Sequence, residues 1–292
     1  MKTKVSIIIP TYNRGYILSE TIKSVIIQTY SNWEVLVVDD GSSDNTESIV
    51  TLFNEQDKRI KYLKRPNDRL KGANACRNYG LEMSTGQFIK WLDSDDKLHE
   101  KCLELQLANL LANNSNVNLC LARFFGVENG EVILFEKLWS DVLLTENITK
   151  DLITSRLQWQ TATGLWGKDI FDKPPFDERI QNSQEWLFNI KLSLKPEIKI
   201  STLNKSLVYI RTHIGSMSNE SNKKGRYYFY AALARYYAVN LIGNKNLGNE
   251  IKLYLFKKFL WYQAFTLYKG SPSGFIKLLT YWPSFLIKIL SH

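Results

Sequence analysis

Three carboxylates stand within four positions in KWLDSDDKLH, residues 90–99, directly behind an apolar stretch. Asp93 and Asp95 are two residues apart, and on an extended backbone that spacing points both side chains to one face, where they can share a cation. Carboxylate oxygens suit Mg2+ or Mn2+, which take one or two carboxylates together with phosphate oxygens, whereas zinc wants histidine or cysteine. The competing use of Asp95 or Asp96 is to cap a helix that begins near Leu98. A second pair, Asp39-Asp40, ends the run WEVLVVDD. A carboxylate there can accept the N3–H of uracil or thymine or the N1–H of guanine, a donor that adenine lacks. Its structural alternative is an Asx turn into Gly41 and Ser42, a role offered first to Asp40. The segment KRPNDRLKGANACRNYG gathers Arg65, Arg69, Lys71 and Arg77 around Gly72 at the start of a helix. Free N–H groups, positive potential and bidentate arginines there suit a phosphate, although most charge runs are solvated surface. There is no G-x-x-x-x-G-K-[ST] and no G-x-G-x-x-G, so the P-loop and dinucleotide readings lose their main support.

The elements around these motifs place them together. Val5 to Ile9 is a β-branched run expected of a strand buried on both faces. A helical period follows through residue 29, then the strand WEVLVVDD, a turn at GSSDNT, and a helix from ESIVTLF. IKYLKR reads as a third strand, GANACRNYGLEMSTG as a helix closed by Gly86, and QFIKWL as a fourth strand ending at the carboxylates. Such alternation predicts an α/β fold with a mostly parallel, Rossmann-like sheet flanked by helices, whose ligands gather beyond the carboxyl ends of the strands. PTYNRG, VDDGSSD and WLDSDD all follow strand ends and should line one crevice. Beyond a helix over 98–112, NVNLCLARFF and EVILF read as a strand pair of mixed sense, residues 184–194 as a helix and KSLVYIRTH as a late strand.

At 292 residues, 44% hydrophobic and 23% charged, the chain has the composition of a packed globular protein. Its net charge of +9 favours anionic partners without choosing among them. Nucleic acid is not expected, because the basic residues are dispersed and no recognition motif appears. Cys76, Cys102 and Cys120 have no C-x-x-C spacing, which argues against a disulfide framework and a thiolate zinc site and fits a reducing cytosol. The apolar run before Pro10 is too short for a signal-peptide core, and no stretch offers the ~20 apolar residues of a spanning helix.

Read in order, VSIIIPTYNR, VLVVDDGSSDNT, KGANACRNYGLEMSTGQFIKWLDSDD, FDERI before SQEWLF, and YIRTHIGSMS resemble the landmarks of family 2 glycosyltransferases of the GT-A fold. The likeness runs over about residues 4–218. It implies a catalytic domain over 1–220, with a nucleotide-binding half at 1–112 and an acceptor half at 113–220, followed by a helical, aromatic and basic C-terminal extension over 221–292. By the resemblance Pro10, Thr11, Tyr12 and Arg14 hold the nucleotide, Asp39 reads the base, and Gly72, Asn74 and Arg77 form another nucleotide wall. Asp93, Ser94 and Asp95 match the D-x-D element, which in the family binds a divalent cation bridging the diphosphate. Arg211, His213 and Ser216 match an R-x-H-x-x-S element near the diphosphate, with His213 assisting the metal or the leaving group. Similar enzymes carry Glu-Asp where this chain has Gln184-Glu185, so Glu185 inherits the role of base; Asp177 and Glu178 are neighbouring alternatives. Trp166 and Trp186 are candidate sugar platforms, with core packing the commoner use of such rings.

The implied reaction is an inverting transfer from a nucleotide-diphosphate sugar, expected to be a UDP-sugar, to an acceptor hydroxyl of a glycan or lipid-linked substrate, with Mn2+ or Mg2+ as cofactor. The alternative is a nucleotide-sugar-binding protein without catalysis, which binds UDP but never turns over. The tail FKKFLWYQAFTLYKGSPSGFIKLLTYWPSFLIKIL mixes lysines with aromatic and aliphatic residues and could lie on an anionic membrane or cap the catalytic domain. The expected location is cytoplasmic, at the inner face of the cell membrane.

Overall fold

In the computed structural model, which describes residues 3–128, 131–212, 225–243 and 247–290, with side chains through residue 288, the alternation begins where the apolar period sets it. β1 (Val5–Thr11) and β2 (Trp33–Asp39) are buried along their whole length. Between them α1 (Gly15–Ile26) turns Ile17, Leu18, Thr21, Ile22 and Val25 inward at helical spacing. α2 (Thr46–Gln56), β3 (Ile60–Lys64), α3 (Ala73–Met83) and β4 (Phe88–Trp91) complete the series. β5 (Lys97–Leu98) is a strand of two residues, and α4 begins after it (Cys102–Ala112) rather than at Leu98. β6 (Val117–Glu128) and β7 (Glu131–Leu138) form a strand pair as expected, and its sense is antiparallel. β8 (Gly164–Gly167) and β9 (Ile200–Arg211) finish the sheet.

The chain divides into two compact units. The first holds the residues up to Leu144, Gln158–Glu178 and Pro196–Thr212. Among the described residues its nine strands run in the order β3-β2-β1-β4-β8-β6-β9-β5, with β7 on β6. β1 through β4 are mutually parallel, β8 enters antiparallel between β4 and β6, and β9 runs parallel to β6. The second unit gathers α5 (Ile148–Thr154) and α6 (Gln184–Ser193) with the C-terminal helices α7 (Arg226–Ile242), α8 (Asn249–Tyr268), α9 (Pro272–Leu279) and α10 (Trp282–Leu290). Residues 145–157 and 179–195, which the sequence reading kept with 113–220, thus pack with the tail. Cys76, Cys102 and Cys120 are buried and free.

At the end of the sheet away from the strand C-termini, Glu34 is buried and saturated. Its Oε1 accepts from Ser6 Oγ (2.7 Å), Thr85 N (2.7 Å) and Thr85 Oγ1 (2.8 Å), and its Oε2 faces Lys4 Nζ (3.1 Å) and Lys61 Nζ (3.2 Å). Burial alone would raise its pKa, but the hydrogen bonds from Ser6, Thr85 and Lys4 outweigh it and hold the carboxyl at about 2, against an ordinary 4.5. A depressed carboxyl stabilises the fold above its unfolded pKa, and that stability is lost as pH falls through the folded one. Wild-type melting temperature should therefore drop between about pH 4.5 and about pH 2, whereas Glu34→Gln should melt lower at neutral pH and change less across that window. Thermal melts at stepped pH check this.

Candidate active site

β1 leads to β2 and β3 on one side, and β4 then returns to the other side of β1, so the order reverses between β1 and β4. Crevices outside the carboxyl ends at such a switch point are where open α/β sheets take ligands. Thr11 ends β1 opposite Asp39 at the end of β2, and the LDSDD loop leaves β4 on the other flank. Thr11 Oγ1 is buried without a hydrogen-bond partner among the described residues. A buried hydroxyl left in that state is costly unless something binds there.

Asp39, not Asp40, makes the turn. Asp39 Oδ2 accepts from Ser42 N (2.8 Å), Gly41 N (3.2 Å) and the Tyr62 hydroxyl (2.9 Å), while Ser42 Oγ donates to Oδ1. Burial and the adjoining Asp39 push the Tyr62 phenol well above its ordinary pKa, so it stays a donor. An ionised carboxylate has about four acceptor positions, and Oδ1 keeps capacity for one more donor. Asp40 is claimed by Arg65, whose Nε lies 2.5 Å from Oδ1. Asn13 adopts a left-handed conformation (φ 50°) and stitches the loops after β1 and β2 together: its N–H donates to Ser42 Oγ and its Oδ1 accepts from Ser43 N, both at 2.8 Å. The signal for Asn13 in the sequence is an asparagine between a strand and a helix, the residue type that tolerates this backbone. Nearby, Pro10 is buried, the Tyr12 ring is exposed, and Arg14 Nη1 donates to Tyr16 Oη (2.7 Å).

The basic loop spends its charge inside the protein. Arg69 pairs with Glu82 (2.6 Å) and Arg77 donates to Asp93 Oδ1 (2.7 Å), so with Arg65 on Asp40 three arginines offered to a phosphate each meet a carboxylate. Gly72 precedes α3 at φ 135°, a conformation that a side chain would strain. Asn74 is buried, donating to the Asp177 carbonyl (2.8 Å) and accepting from Arg77 Nη1 (3.4 Å).

The carboxylate loop is pinned by α1 and by β9. Thr21 Oγ1 of α1 donates to the Ser94 carbonyl (2.9 Å) and Arg211 Nε to the Asp95 carbonyl (3.0 Å). Asp96, 3% exposed, accepts the Arg211 N–H (3.0 Å) instead of capping a helix. The Arg211 guanidinium, aimed at a diphosphate in the sequence reading, also donates to Glu20 Oε2 (2.8 Å), a carboxylate shared with Lys97 Nζ (2.6 Å). Arg211 is thus a brace on the loop. Burial works to raise the pKa of Glu20, but Lys97 and Arg211 outweigh it and hold the carboxyl below its ordinary value. Glu20 was not legible as part of this site, because its partner lies 191 positions away.

The remaining positions are distributed over both units. Trp166 is 1% exposed and tilted against Trp91, with centroids 6.4 Å apart, so its ring is core and has no face for a sugar. Glu185 and Trp186 open α6 in the second unit, where the Arg235 guanidinium stacks 4.0 Å from the Trp186 ring centre. Glu178 is engaged by Asn78 Nδ2 (3.0 Å) and by Arg69 (3.6 Å). His213 and Ser216 lie outside the described residues.

The family model described as glycosyl transferase family 2 matches residues 6–178, more than half of the chain. The chain belongs to glycosyltransferase family 2. This glycosyltransferase is 33% identical over 219 residues to the Escherichia coli UDP-Glc:alpha-D-GlcNAc-diphosphoundecaprenol beta-1,3-glucosyltransferase WfgD, covering 75% of this chain and 80% of that one. It is 30% identical over 290 residues to glycosyltransferase GlyA of Streptococcus pneumoniae, covering 95% of this chain but 40% of GlyA, so it spans about two fifths of that relative's length. Among solved structures, S. aureus TarS 1-349 in complex with UDP-GlcNAc superposes with a TM-score of 0.68 at 22% identity, over 98% of this chain and 81% of that one. The likeness establishes the GT-A type of fold, a mostly parallel sheet with flanking helices.

A divalent cation fits the donors of this glycosyltransferase in kind. Asp93 and Asp95 offer oxygen alone and are both partly exposed, on a loop whose backbone is already held. No group of three or more metal-ligating His, Cys, Asp or Glu side chains occurs among the described residues. Two carboxylates suit an ion that draws its other ligands from phosphate and water.

Proposed function

We propose that the protein transfers a sugar, with inversion, from a nucleotide-diphosphate donor, a UDP-sugar, to the hydroxyl of a lipid-linked acceptor in glycan assembly. The observation that carries this is the meeting of Asp39, the unpartnered Thr11 hydroxyl and the Asp93-Ser94-Asp95 turn at the switch point of the sheet. The spare acceptor capacity on Asp39 Oδ1 takes the uracil N3–H. Pro10, Thr11, Tyr12, Arg14, Gly72, Asn74 and Arg77 bound the nucleotide, and Asp93 and Asp95, with His213 on the motif alone, hold the ion. Bound there, Mg2+ or Mn2+ supplies positive charge to the diphosphate as the sugar–phosphate bond breaks. Arg211 keeps the loop in place, and Ser216 and Trp186 stay candidates for diphosphate or acceptor contact. Glu185 removes the proton from the acceptor hydroxyl as that oxygen attacks the anomeric carbon from the face opposite the leaving group.

The choice of donor and acceptor draws on what relatives are named for. The E. coli relative takes UDP-Glc and a diphosphoundecaprenol-linked GlcNAc, and TarS was solved with UDP-GlcNAc. The mannosyltransferase of Pyrobaculum calidifontis, a neighbour with a TM-score of 0.60, was solved with GDP-Man and Mn2+. An acceptor on a lipid diphosphate would be met at a membrane face. The test is incubation with Mn2+, a panel of UDP- and GDP-sugars and a lipid-diphosphate-linked GlcNAc. Release of UDP with a product of opposite anomeric configuration is the expected result; failure of every donor to yield nucleoside diphosphate overturns the reading.

A further inference from the structure

The last helices are apolar on two sides, and only one is covered. In α10, Phe285 is wholly buried among Phe256, Phe259 and Tyr236, with ring centres 5.0–5.7 Å apart. Away from Phe285 the same helix leaves Leu286 and Ile287 exposed, Ile287 at 66%. In α9, Leu278 is buried while Ile276, 62% exposed, and Leu279 face out. α8 ends on the exposed Leu267 and on Tyr268, 78% exposed, with Lys269 Nζ 5.2 Å from the Tyr268 ring centre. A helix apolar all round is ordinarily wrapped by protein or lipid.

Charge decides between possible occupants. From Ile251 to the last residue the chain carries six lysines and not one Asp or Glu. A second copy docking by this face would set lysines against lysines with no carboxylate in the segment to answer them. An anionic lipid surface answers both features at once, the acyl boundary taking the apolar side chains and the phosphates taking the lysines. No helix among the described residues is long and apolar enough to cross a membrane, so the contact runs along the surface. We infer that the end of α8, α9 and α10 dock on an anionic bilayer, with Ile276, Leu279, Leu286 and Ile287 in the acyl boundary and Lys269 and Lys277 at the headgroup phosphates. The inference deepens the reading of a lipid-linked acceptor and rests on it for its purpose, since it puts the protein at the surface where such an acceptor sits.

The test is sedimentation of the full chain with phosphatidylcholine vesicles, with or without phosphatidylglycerol, in the absence of donor and acceptor. The protein should pellet with the mixed vesicles, ~10-fold less with phosphatidylcholine alone, and less as salt rises. Ile276→Glu with Ile287→Glu, and separately Lys269→Glu with Lys277→Glu, should each weaken binding by about tenfold while circular dichroism and melting stay as in wild type, because all four side chains are exposed. Wild type that stays in the supernatant, or variants that pellet as it does, overturns the inference. So does a concentration-dependent dimer that the isoleucine variant abolishes without any vesicle binding, which would give the face to a second copy. Transfer to a soluble acceptor analogue with no vesicle binding removes the docking surface and leaves the reaction; vesicle binding without transfer removes the reaction and leaves the surface.

Discussion

Asp95→Ala should lower sugar transfer by ~10²- to 10³-fold, the usual cost of removing one charge-stabilising group from a reaction centre. The backbone of the loop around Asp95 is held by other atoms. Thr21 grips the Ser94 carbonyl, Arg211 Nε grips the Asp95 carbonyl, and the side chain that accepts the Arg211 N–H belongs to Asp96. Deleting the Asp95 carboxylate leaves all three of these contacts in place, and kcat/KM should fall. Calorimetric titration of Mn2+ in the presence of UDP supplies the second readout, and heat of binding should fall with activity. Asp93→Ala should behave differently, since it also takes a carboxylate from the buried Arg77 guanidinium and should lower stability as well. Wild-type turnover and Mn2+ affinity in Asp95→Ala would exclude this carboxylate from ion binding.

Glu185→Gln should lower kcat by ~10²- to 10⁴-fold, the range that a positioned general base supplies. The amide keeps the size of the side chain and much of its hydrogen bonding, so UDP affinity and melting temperature should stay near wild type. Residual activity should lose its acid-side pH dependence, because the group that must be ionised is gone. The nearby alternatives separate by the same measurement. Glu178 already serves Asn78 and Arg69, so Glu178→Gln should act on stability more than on kcat. A loss of kcat in Asp177→Asn that Glu185→Gln does not share would move the proton transfer to Asp177.

The first half of the fold was legible because its signal is local. The runs at β1 and β2 are continuous and β-branched, the helices between them keep a 3.6-residue period, and the motifs fall at strand ends, which a parallel sheet brings to one edge. β8 was not legible: it is four residues long, two of them glycine, and Gly164 has no side chain because one would collide with the Trp166 ring about 2.1 Å away. β5 is too short for any period, and the cap offered to Asp95 or Asp96 gave way to a partner at Arg211. The same limit applied to the charges. KRPNDRLKGANACR reads as a free basic loop, yet Asp40, Glu82 and Asp93, which occupy three of its arginines, are set against them by the fold and not by spacing along the chain.

The tie between Asp96 and Arg211 joins residues 115 positions apart. A polypeptide ending at residue 178, where the family match stops, would carry every aspartate of the LDSDD loop and none of β9. β6 would then lack its parallel partner, Glu20 would face Lys97 alone, and the loop would lose both contacts to Arg211 while keeping those to Thr21 and Arg77. During synthesis the motif emerges from the ribosome well before the strand that braces it, so the loop takes its final form late, with the docking of one strand near the end of the sheet.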